Sequence, residues 1–462
     1  MNKLNFLAGL ILISFVGALN ASPIAMLTEL GYQHPKCPSD VSLKLLSLKE
    51  VLLLSMGSSS HRRIALVELD QSRRNLTIAK SDYYPELNYS VDSTVSSLNT
   101  SYNAGPPKNR TAEISQKLSA RWLLFDSGAR RANVDHYKAL DEAKFWHWTV
   151  VSNDILLQSA ALYYDVLLSQ NRLRSYVQVS DVLERSLAVA DAHFKKGLSP
   201  YSDALKAKIA YDKSVADVNR ARVIFSKKTG HLATLIGCHS SVEIQLQENI
   251  RDTFTRDIFS DLDQLLELSQ EFNPQIKAAR ARVQASLHVV ESERASGRPT
   301  VMLAANVSNS RVYKSDVLPG NRNNNHNAIM FSLNIPLDPW GKRRMLMERA
   351  AQQANIRLIE AEFIEETVRA KLWSDYQELM GARKRIEQSG HLVQNSLLSL
   401  NIIEGRYRSG VGSLAEVLQS TETYSTLAEQ SFEDIVDLNL SHLRIATAIG
   451  RASIGNSLEI GP

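Results

Sequence analysis

The chain has 462 residues, of which 44% are hydrophobic and 22% charged, a balance typical of a folded protein with enough apolar side chains to build a core. Its formal net charge is +4, and basic and acidic residues are interspersed along the sequence, which argues against a nucleic-acid-binding protein. P-loop, HExxH and GxSxG signatures are missing from the sequence and its histidines share no spacing, so we predict a protein that is not an enzyme and uses no cofactor or metal ion.

Residues 1–21 are predicted to form a secretory signal peptide. Lys3 precedes an apolar run that begins at Phe6, and small side chains follow near Ala21, where we expect cleavage. The run is shorter than the ~20 apolar residues of a membrane-spanning helix, which favours a removable leader over an anchor. Residues 22–44 are interpreted as an N-terminal leader segment of the mature chain.

Residues 45–240 are predicted to form the first of two structural repeats. A helix is expected from Leu45 to Ala79, and it must end before Pro85, because proline disfavours helix at the residue before it. Apolar and small polar residues then alternate in two stretches, as they do in strands with one apolar and one polar face. The predicted elements are strands at about 87–95 and 114–122, an exposed loop at 96–112, a long helix at 129–196 and a second helix at 200–236.

The predicted helix at 129–196 is far longer than the helices of ordinary globular domains. It contains neither glycine nor proline, and at ~1.5 Å per residue it would extend about 100 Å. Apolar residues recur at intervals of seven and four, the spacing of a coiled-coil seam, at Ile155, Leu162, Val166, Leu173 and Val177. Such a helix needs packing partners along its whole length.

A second repeat with the same plan is predicted at residues 258–450. It follows a linker at 241–257 and precedes a C-terminal tail at 451–462. The predicted elements are a helix from Pro274 to Ala295, strands at about 301–310 and 328–337, an exposed loop at 311–327, a long helix at 342–406 and a second helix at 414–449. Glycines inside the second long helix leave its continuity open, at Gly381, Gly390 and Gly405.

The two repeats align without an insertion at a shift of 213 positions. At this shift Gly128 falls on Gly341, and both glycines precede a basic stretch and a long run without proline. Two further landmarks keep the same register, Phe194–Gly197 with Tyr407–Gly410 and His231–Gly237 with Arg444–Gly450. Agreement at three separated points indicates an internal duplication whose lengths are set by packing between the copies.

The strand count predicts an assembly of several chains. One chain has four predicted strands, each close to the ~9–11 residues that cross a bilayer at a tilt, and four strands cannot close into a barrel. A bilayer tolerates β-structure only when it is closed, because an open edge leaves unpaired backbone groups in hydrocarbon. The strands must therefore be pooled between subunits.

Several motifs, in this order and on a duplicated frame, resemble the TolC family of outer-membrane channel proteins. They are Tyr84-Pro85 before the first strand, Trp122–Gly128, Leu333–Leu337 with Gly341–Arg343, and Tyr407–Gly410 followed by Leu414 and Glu416–Leu418. The resemblance covers the chain from about residue 39 to 450.

The resemblance implies an α+β membrane protein that is a homotrimer. Its twelve pooled strands would form an outer-membrane β-barrel, continuous with a long periplasmic barrel of twelve helices and a mixed equatorial belt. It implies a passive exit duct of a tripartite efflux or type I secretion system, embedded in outer-membrane lipid and docked to a periplasmic adapter and an inner-membrane pump. Drug, protein and metal exporters share this frame, so the cargo stays open. A soluble periplasmic coiled-coil scaffold without channel activity is the alternative that long helices alone also allow.

Three residues are predicted at the periplasmic gate on the strength of this resemblance: Asp203, Tyr407 and Glu416. Asp203 and Glu416 are equivalent in the two repeats, so a trimer would place their carboxylates around one constriction and attract cations. The alternative is that both acids only stabilise helix starts, with Ser413 and Glu416 forming a capping box. The chain departs from the family prototype at Gly412, where the prototype has Arg, and at Gln419, where it has a second Asp, which puts an interlocking salt bridge in doubt.

The tip turns are predicted to dock the adapter, because their small residues permit the close approach of a helical hairpin. The predicted docking residues are Gly197, Leu198 and Ser199 in the first turn and Gly410, Val411, Gly412 and Ser413 in the second. The alternative is that they are only turn residues.

The two cysteines, Cys37 and Cys238, lie near the start of the mature chain and after the first repeat's last glycine. In an oxidising compartment such a pair can form a disulfide, and the alternative is two free thiols. Cys238 has His239 beside it and His231 nearby, but no CxxC or HxxxH partner, so a metal site is not predicted.

Overall fold

The structure is a computed structural model that describes Cys37 and residues 45–99, 108–247, 261–314 and 322–450. The predicted signal peptide and C-terminal tail lie outside the described residues. So do the predicted leader segment, apart from Cys37, and the linker after residue 247.

The described chain contains two copies of one series of elements. The first series is β1 (Leu45–Leu46), α1 (Leu48–Ser58), α2 (Ser60–Ser81), β2 (Glu86–Asn99), β3 (Lys108–Phe125), α3 (Ala129–Lys195) and α4 (Tyr201–Leu235). The second series is β4 (Gln245–Leu246), α5 (Leu262–Phe272), α6 (Pro274–Ser296), β5 (Thr300–Lys314), β6 (Arg322–Asn334), α7 (Lys342–Arg408) and α8 (Leu414–Ala448). Helices α3 and α7 have 67 residues each and α4 and α8 have 35 each, so the duplication seen in the sequence is also one of structure.

The helix expected from Leu45 to Ala79 is not continuous. Ser59 adopts an extended backbone with φ −60° and ψ 120°, which ends α1, and its side chain accepts the N–H of Arg62 to cap α2. Leu45 and Leu46 form a short strand that pairs in parallel with β4, inside the stretch expected to be a linker. The capping box of Ser47 and Glu50 then starts α1.

The strands are longer than predicted, so both expected loops are shorter. The stretches at 96–112 and 311–327 were expected to be exposed loops because they are rich in Ser, Asn and Gly. Instead Glu86 to Asn99 pairs with Lys108 to Arg121, and Thr300 to Val312 pairs with Arg322 to Asn334. The hydrogen bonds between strands join backbone groups, so a stretch with polar side chains can continue as a strand wherever the neighbouring strand also continues. The last strand ends at Asn334 rather than at residue 337, ahead of Pro336, which has no N–H to donate.

Helix α7 continues through Gly381, Gly390 and Gly405 without a break. Long helices tolerate such glycines when tertiary packing supplies the stability that local propensity lacks. No described helix has an apolar stretch long enough to cross a membrane.

The strands and helices lie side by side in matching rows. The sheet has the order β2-β3-β5-β6. On the side next to the sheet, α2 packs on α3, α3 on α6 and α6 on α7. Towards the far tips, α4 packs on α3, α3 on α8 and α8 on α7. The largest core cluster lies between these two rows, where α1, β1 and β4 pack against α3, α4 and α8.

A disulfide ties the start of the chain to this core. Cys37 and Cys238 are bonded, and Cys238 follows the glycine that ends α4. Nearby, the Ser58 hydroxyl donates to the Leu235 carbonyl at 2.6 Å, so α1 and α4 end against each other.

Candidate functional site at the helix tips and the sheet

Both tips are formed by the same glycine-based turn. Gly197 has φ +70° and Gly410 has φ +82°, a left-handed conformation that glycine adopts without strain. In the first tip the N–H of Leu198 donates to the His193 carbonyl at 2.9 Å. In the second the N–H of Val411 donates to the Arg406 carbonyl at 3.0 Å. Each turn thus satisfies the last carbonyl groups of a long helix and reverses the chain.

The helices that leave the tips start differently. Pro200 precedes α4, and its carbonyl accepts the N–H of Asp203 at 3.1 Å. The Asp203 carboxylate lies 3.7 Å from the Lys206 ammonium. Ser413 caps α8 by accepting the N–H of Glu416 at 3.3 Å. Both acids lie in the first turns of their helices, where a carboxylate stabilises the helix dipole, and of the predicted capping box the structure shows the bond that Ser413 accepts.

Tyr407 is the most buried of the three predicted gate residues, with 5% of its surface exposed. It belongs to the tip cluster with Ala207, Leu414 and Val417, and its ring stands edge-on to His193 with centroids 5.9 Å apart. Burial raises the pKa of Tyr407, and the negative charge of Asp203 raises it further. The structure therefore brings Asp203 and Tyr407, from different repeats, within electrostatic reach.

Glu416 is exposed on the surface of α8. Among the predicted docking residues, Leu198 and Val411 are exposed at the ends of their turns. Gly412 is enclosed instead, because an added Cβ would lie 3.0 Å from the Tyr407 backbone nitrogen. A larger residue at Gly412 would therefore push against the backbone of Tyr407, the predicted gate residue beside it.

An ion pair that the sequence did not predict joins the two long helices near the tips. Arg185 on α3 donates to Glu404 on α7 through Nε at 2.7 Å and Nη2 at 3.3 Å. Glu404 is buried, and its hydrogen bond raises the pKa of the Arg185 guanidinium. The only sequence signal was a glutamate within the apolar seam of α7.

The four-stranded sheet has one apolar and one polar face. Residues directly opposite each other in antiparallel strands share a face, and Tyr89, Leu118 and Val307 are opposite in neighbouring strands. The same face carries exposed apolar side chains at Leu87, Val91, Val95, Trp122, Ile329, Phe331 and Leu333. The other face carries mainly polar side chains, among them Ser90, Asp92, Lys117, Ser119, Asn306 and Ser308. Leu87 to Val95 spans about 26 Å at ~3.3 Å per residue, close to the ~25 Å apolar band of outer-membrane barrels.

The model of the family described as outer membrane efflux protein matches residues 63–237 and 265–451. The chain belongs to this family. It is similar to the protein CyaE of Bordetella pertussis, with 25% identity over 90% of this chain and 88% of that one. It is also similar to the outer membrane protein TolC of Escherichia coli, with 22% identity over 87% of this chain and 82% of that one.

The fold agrees with that of a solved member. The outer membrane protein VceC of Vibrio cholerae superposes with a TM-score of 0.72 at 18% identity, covering 87% of this chain and 96% of that one. Family membership confirms the resemblance to TolC, the outer-membrane localisation and the prediction of an exit duct for efflux or secretion. The family consists of passive channels rather than enzymes, and the soluble scaffold is not supported.

Proposed function

We propose that three copies of this outer membrane efflux protein close into one tube, gated at its helix tips and docked there to a periplasmic adapter and an inner-membrane pump. The observation that carries the proposal is that, among the described residues, the sheet and both helix rows end at elements that have no neighbour on their outer side. Strands β2 and β6 end the sheet, α2 and α7 end the helix row beside it, and α4 and α7 end the row towards the tips.

The edges of the sheet support closure between copies. An open edge within a bilayer would leave backbone groups without partners, at a cost of several kcal/mol for each group. Pairing β6 of one copy with β2 of the next removes every edge. Three copies of a four-stranded sheet then close a barrel with its apolar face towards lipid and its polar face towards the lumen.

The edge helices carry apolar side chains that suit the same arrangement. On α2, Ile64 and Ile78 are exposed, and on α7, Met345 and Ile359 are exposed. Helix α2 ends and α7 begins beside the sheet, so Ile78 lies at the level of Met345 and Ile64 at the level of Ile359. Towards the tips, α4 exposes Leu205 and Ile209 while α7 exposes Leu398 and Ile402. Packing α7 against α2 and α4 of the next copy would cover both sets.

Disulfide trapping tests this arrangement in the full-length protein. The pair Ile78→Cys and Met345→Cys, one on each edge, should crosslink neighbouring copies in membranes and give a covalent trimer on a non-reducing gel. The pair Ile78→Cys and Phe363→Cys is the control, because Phe363 lies about 27 Å further along α7 at ~1.5 Å per residue. A chain that stays monomeric, or crosslinks equally with both pairs, would contradict the proposed edges.

The gate proposal is supported by the burial of Tyr407 beside Asp203 and by the position of Glu416 in the equivalent place of the second repeat. In a trimer each chain contributes both carboxylates to the tip opening. Asp203→Asn with Glu416→Gln should raise the leak conductance in a planar bilayer and weaken block by divalent cations. Unchanged current and unchanged block would remove both acids from the gate.

Docking is proposed at the residues Gly197, Leu198, Ser199, Gly410, Val411, Gly412 and Ser413. The open space around Gly197 supports it, because no atom lies within 4 Å of a Cβ added there. Gly197→Trp should leave the trimer intact and abolish export in cells that contain the adapter and the pump. Loss of the trimer itself would show that the residue serves only the turn.

A further inference from the structure

Exposed cations and apolar side chains surround the junction between the sheet and the helices. We call this surface the collar. Its cations are Lys80, Arg131, Arg298, Lys342 and Arg344, and its apolar members are Tyr84, Leu337 and Trp340. All lie within ten residues of the strand ends, at the end of the apolar face that is nearer the helices, and the exposed acids Asp82, Glu86 and Asp338 lie among them.

Trp340 is the most exposed large side chain of the collar. It is 91% exposed, and Leu337 beside it is also exposed. Both follow β6, whose Phe331 and Leu333 belong to the apolar face of the sheet. A tryptophan with a free surface at the rim of an apolar band is typical of the boundary between hydrocarbon and headgroups.

Two consecutive arginines lie at the start of each long helix, and in both repeats the first points inward and the second, a member of the collar, points outward. Arg130 binds Asp126 and donates to the Asp82 carbonyl at 3.2 Å. Its equivalent, Arg343, donates to the Ser296 carbonyl. Both therefore fasten the start of a long helix to the C-terminal end of a short helix, α2 in the first repeat and α6 in the second.

The next arginine in each repeat points outward. Arg131 has a side chain that is 85% exposed, and that of Arg344 is 74% exposed. Among the described residues their acidic partners are on their own helices, Asp135 at 3.9 Å and Glu348 at 2.9 Å. Such exposed pairs contribute little to stability, which leaves both guanidinium groups open to a ligand.

The cations at the starts of α3 and α7 do not complement the dipoles of those helices. The first turns of α3 and α7 contain no acid, whereas those of α4 and α8 contain Asp203 and Glu416. Positive side chains in a first turn oppose the helix dipole, so the dipole does not account for Arg131, Lys342 and Arg344.

We propose that the collar binds the headgroups of anionic phospholipids in the periplasmic leaflet of the outer membrane. The inference rests on the proposed membrane placement of the sheet. Arg131 and Arg344 are suited to bidentate contacts with a lipid phosphate, and Lys80, Lys342 and Arg298 add positive charge beside them. Trp340 and Leu337 would enter the boundary of the acyl chains. Each copy contributes one collar, so a closed trimer presents three of them around the junction.

Quenching of Trp340 fluorescence tests the collar in the reconstituted full-length protein. The signal of Trp340 is isolated by subtracting the spectrum of the Trp340→Phe variant. Vesicles of phosphatidylcholine contain a small fraction of either brominated phosphatidylglycerol or brominated phosphatidylcholine. At low salt, quenching should show that brominated phosphatidylglycerol is enriched around Trp340 by at least about fivefold over brominated phosphatidylcholine. This is the effect of roughly one surface cation.

The triple variant Arg131→Gln, Lys342→Gln, Arg344→Gln should lose most of this preference. The triple variant Lys195→Gln, Lys196→Gln, Lys208→Gln removes the same charge at the distant tip and should keep it. Equal quenching by the two lipids in the wild type, or an equal loss in both variants, overturns the collar while leaving the membrane placement intact. No quenching by either lipid contradicts the placement itself.

Discussion

The two tips share one turn and differ in the burial of the aromatic residue three positions before the glycine. Phe194 and Tyr407 are equivalent in the two repeats, yet Phe194 is 42% exposed and Tyr407 only 5%. Phe194 packs on Tyr201 at the surface, with 5.2 Å between ring centroids. Tyr407 instead fills the cluster between the helices. The same turn geometry therefore carries an exposed aromatic side chain in the first tip and a buried one in the second.

The C-terminal ends of α4 and α8 are also equivalent in position and different in detail. The Ser58 hydroxyl donates to the Leu235 carbonyl at 2.6 Å, and the Asn273 amide donates to the equivalent Ala448 carbonyl at 2.9 Å. The first end is then closed by the disulfide at Cys238. In the second repeat Arg451 stands at the position equivalent to Cys238, so no disulfide can form there. Gly450 instead packs closely against Phe272. The two repeats thus have helices of equal length, but different contacts hold the helix ends in place.

Gly450→Ala should cause the largest loss of stability, because it disrupts the close packing at the end of the second repeat. Gly450 has φ +70°, and an added Cβ would lie 2.5 Å from the Phe272 carbonyl oxygen. Backbone strain and overpacking together should cost roughly 3–5 kcal/mol of unfolding free energy. The measurement is thermal melting of the purified protein, with its yield as a second readout.

Gly410→Ala is the matched control, since Gly410 has φ +82° but open space around its missing Cβ. It should show only the strain of a left-handed alanine, about 1 kcal/mol. Equal losses in the two variants would mean that the contact with Phe272 contributes nothing.

Removal of the disulfide should weaken the first repeat without an equivalent effect on the second. The bond closes a loop with a sequence separation of 201, so it restricts the unfolded chain strongly. Cys37→Ser with Cys238→Ser should cost about 2–4 kcal/mol. Limited proteolysis of the purified protein should then cut the first repeat, at its end near Leu235, sooner than the second. Cleavage of both repeats at an unchanged rate would count against a role for the bond.

Arg185→Ala tests a contact that the duplication does not repeat. A shift of 213 positions places Leu398 at the position of Arg185 and Asp191 at that of Glu404, so the ion pair exists once per chain. Loss of Arg185 leaves the Glu404 carboxylate buried without its cation. Solvent screens the half-exposed arginine, so we expect a cost of about 1–2 kcal/mol and an increase in spontaneous opening in a planar bilayer.

Two further variants define what the Arg185 result means. Arg220→Ala breaks an exposed pair within α4 and should leave conductance unchanged. Arg185→Leu with Glu404→Leu replaces both charges by apolar side chains and should restore closure at least partly. A double variant as open as Arg185→Ala would show that the ion pair itself, rather than an uncompensated charge, holds the helices together.

The lengths of the long helices could be predicted from the sequence because their limits are local. Gly128, Gly197, Gly341 and Gly410 delimit the two long helices, and all four adopt positive φ in the structure. The strand ends could not be predicted in the same way. Polar residues near the hairpin ends are held by the partner strand, which composition does not reveal.

The contacts between repeats depend on how the helices are rotated against one another. The equivalence of Asp203 and Glu416 was visible in the sequence, and so was the departure from the family prototype at Gly412. The approach of Asp203 to Tyr407 and the pairing of Arg185 with Glu404 were not. A seam of apolar residues predicts that helices pack, but it does not specify which polar residues face each other across the contact.

Asp375→Asn should have the smallest effect, and it should be stabilising. Asp375 on α7 is equivalent to Leu162 on α3, which packs against the largest core cluster. Asp375 is 8% exposed and lines a cavity of about 50 Å³ together with Lys371 and Arg444, and its Oδ2 atom has no hydrogen-bond partner within the described chain. Burial raises the pKa of the Asp375 carboxyl, Arg444 and Lys371 oppose that rise, and Glu378 adds to it.

A raised pKa in the folded state means that the folded protein prefers the protonated carboxyl. The stability associated with this group is complete below the ordinary pKa of about 3.9 and is lost as the pH rises through the raised value. Asparagine never ionises, so Asp375→Asn should raise stability by about 1 kcal/mol at pH 7, and the gain should vanish near pH 3.5. Melting temperatures of wild type and variant across this range provide the measurement, with the exposed Asp212→Asn as control. A loss of stability at pH 7 would mean that Asp375 is held by Arg444 and Lys371 through water in the cavity, and that the second repeat replaces an apolar contact with a useful charge.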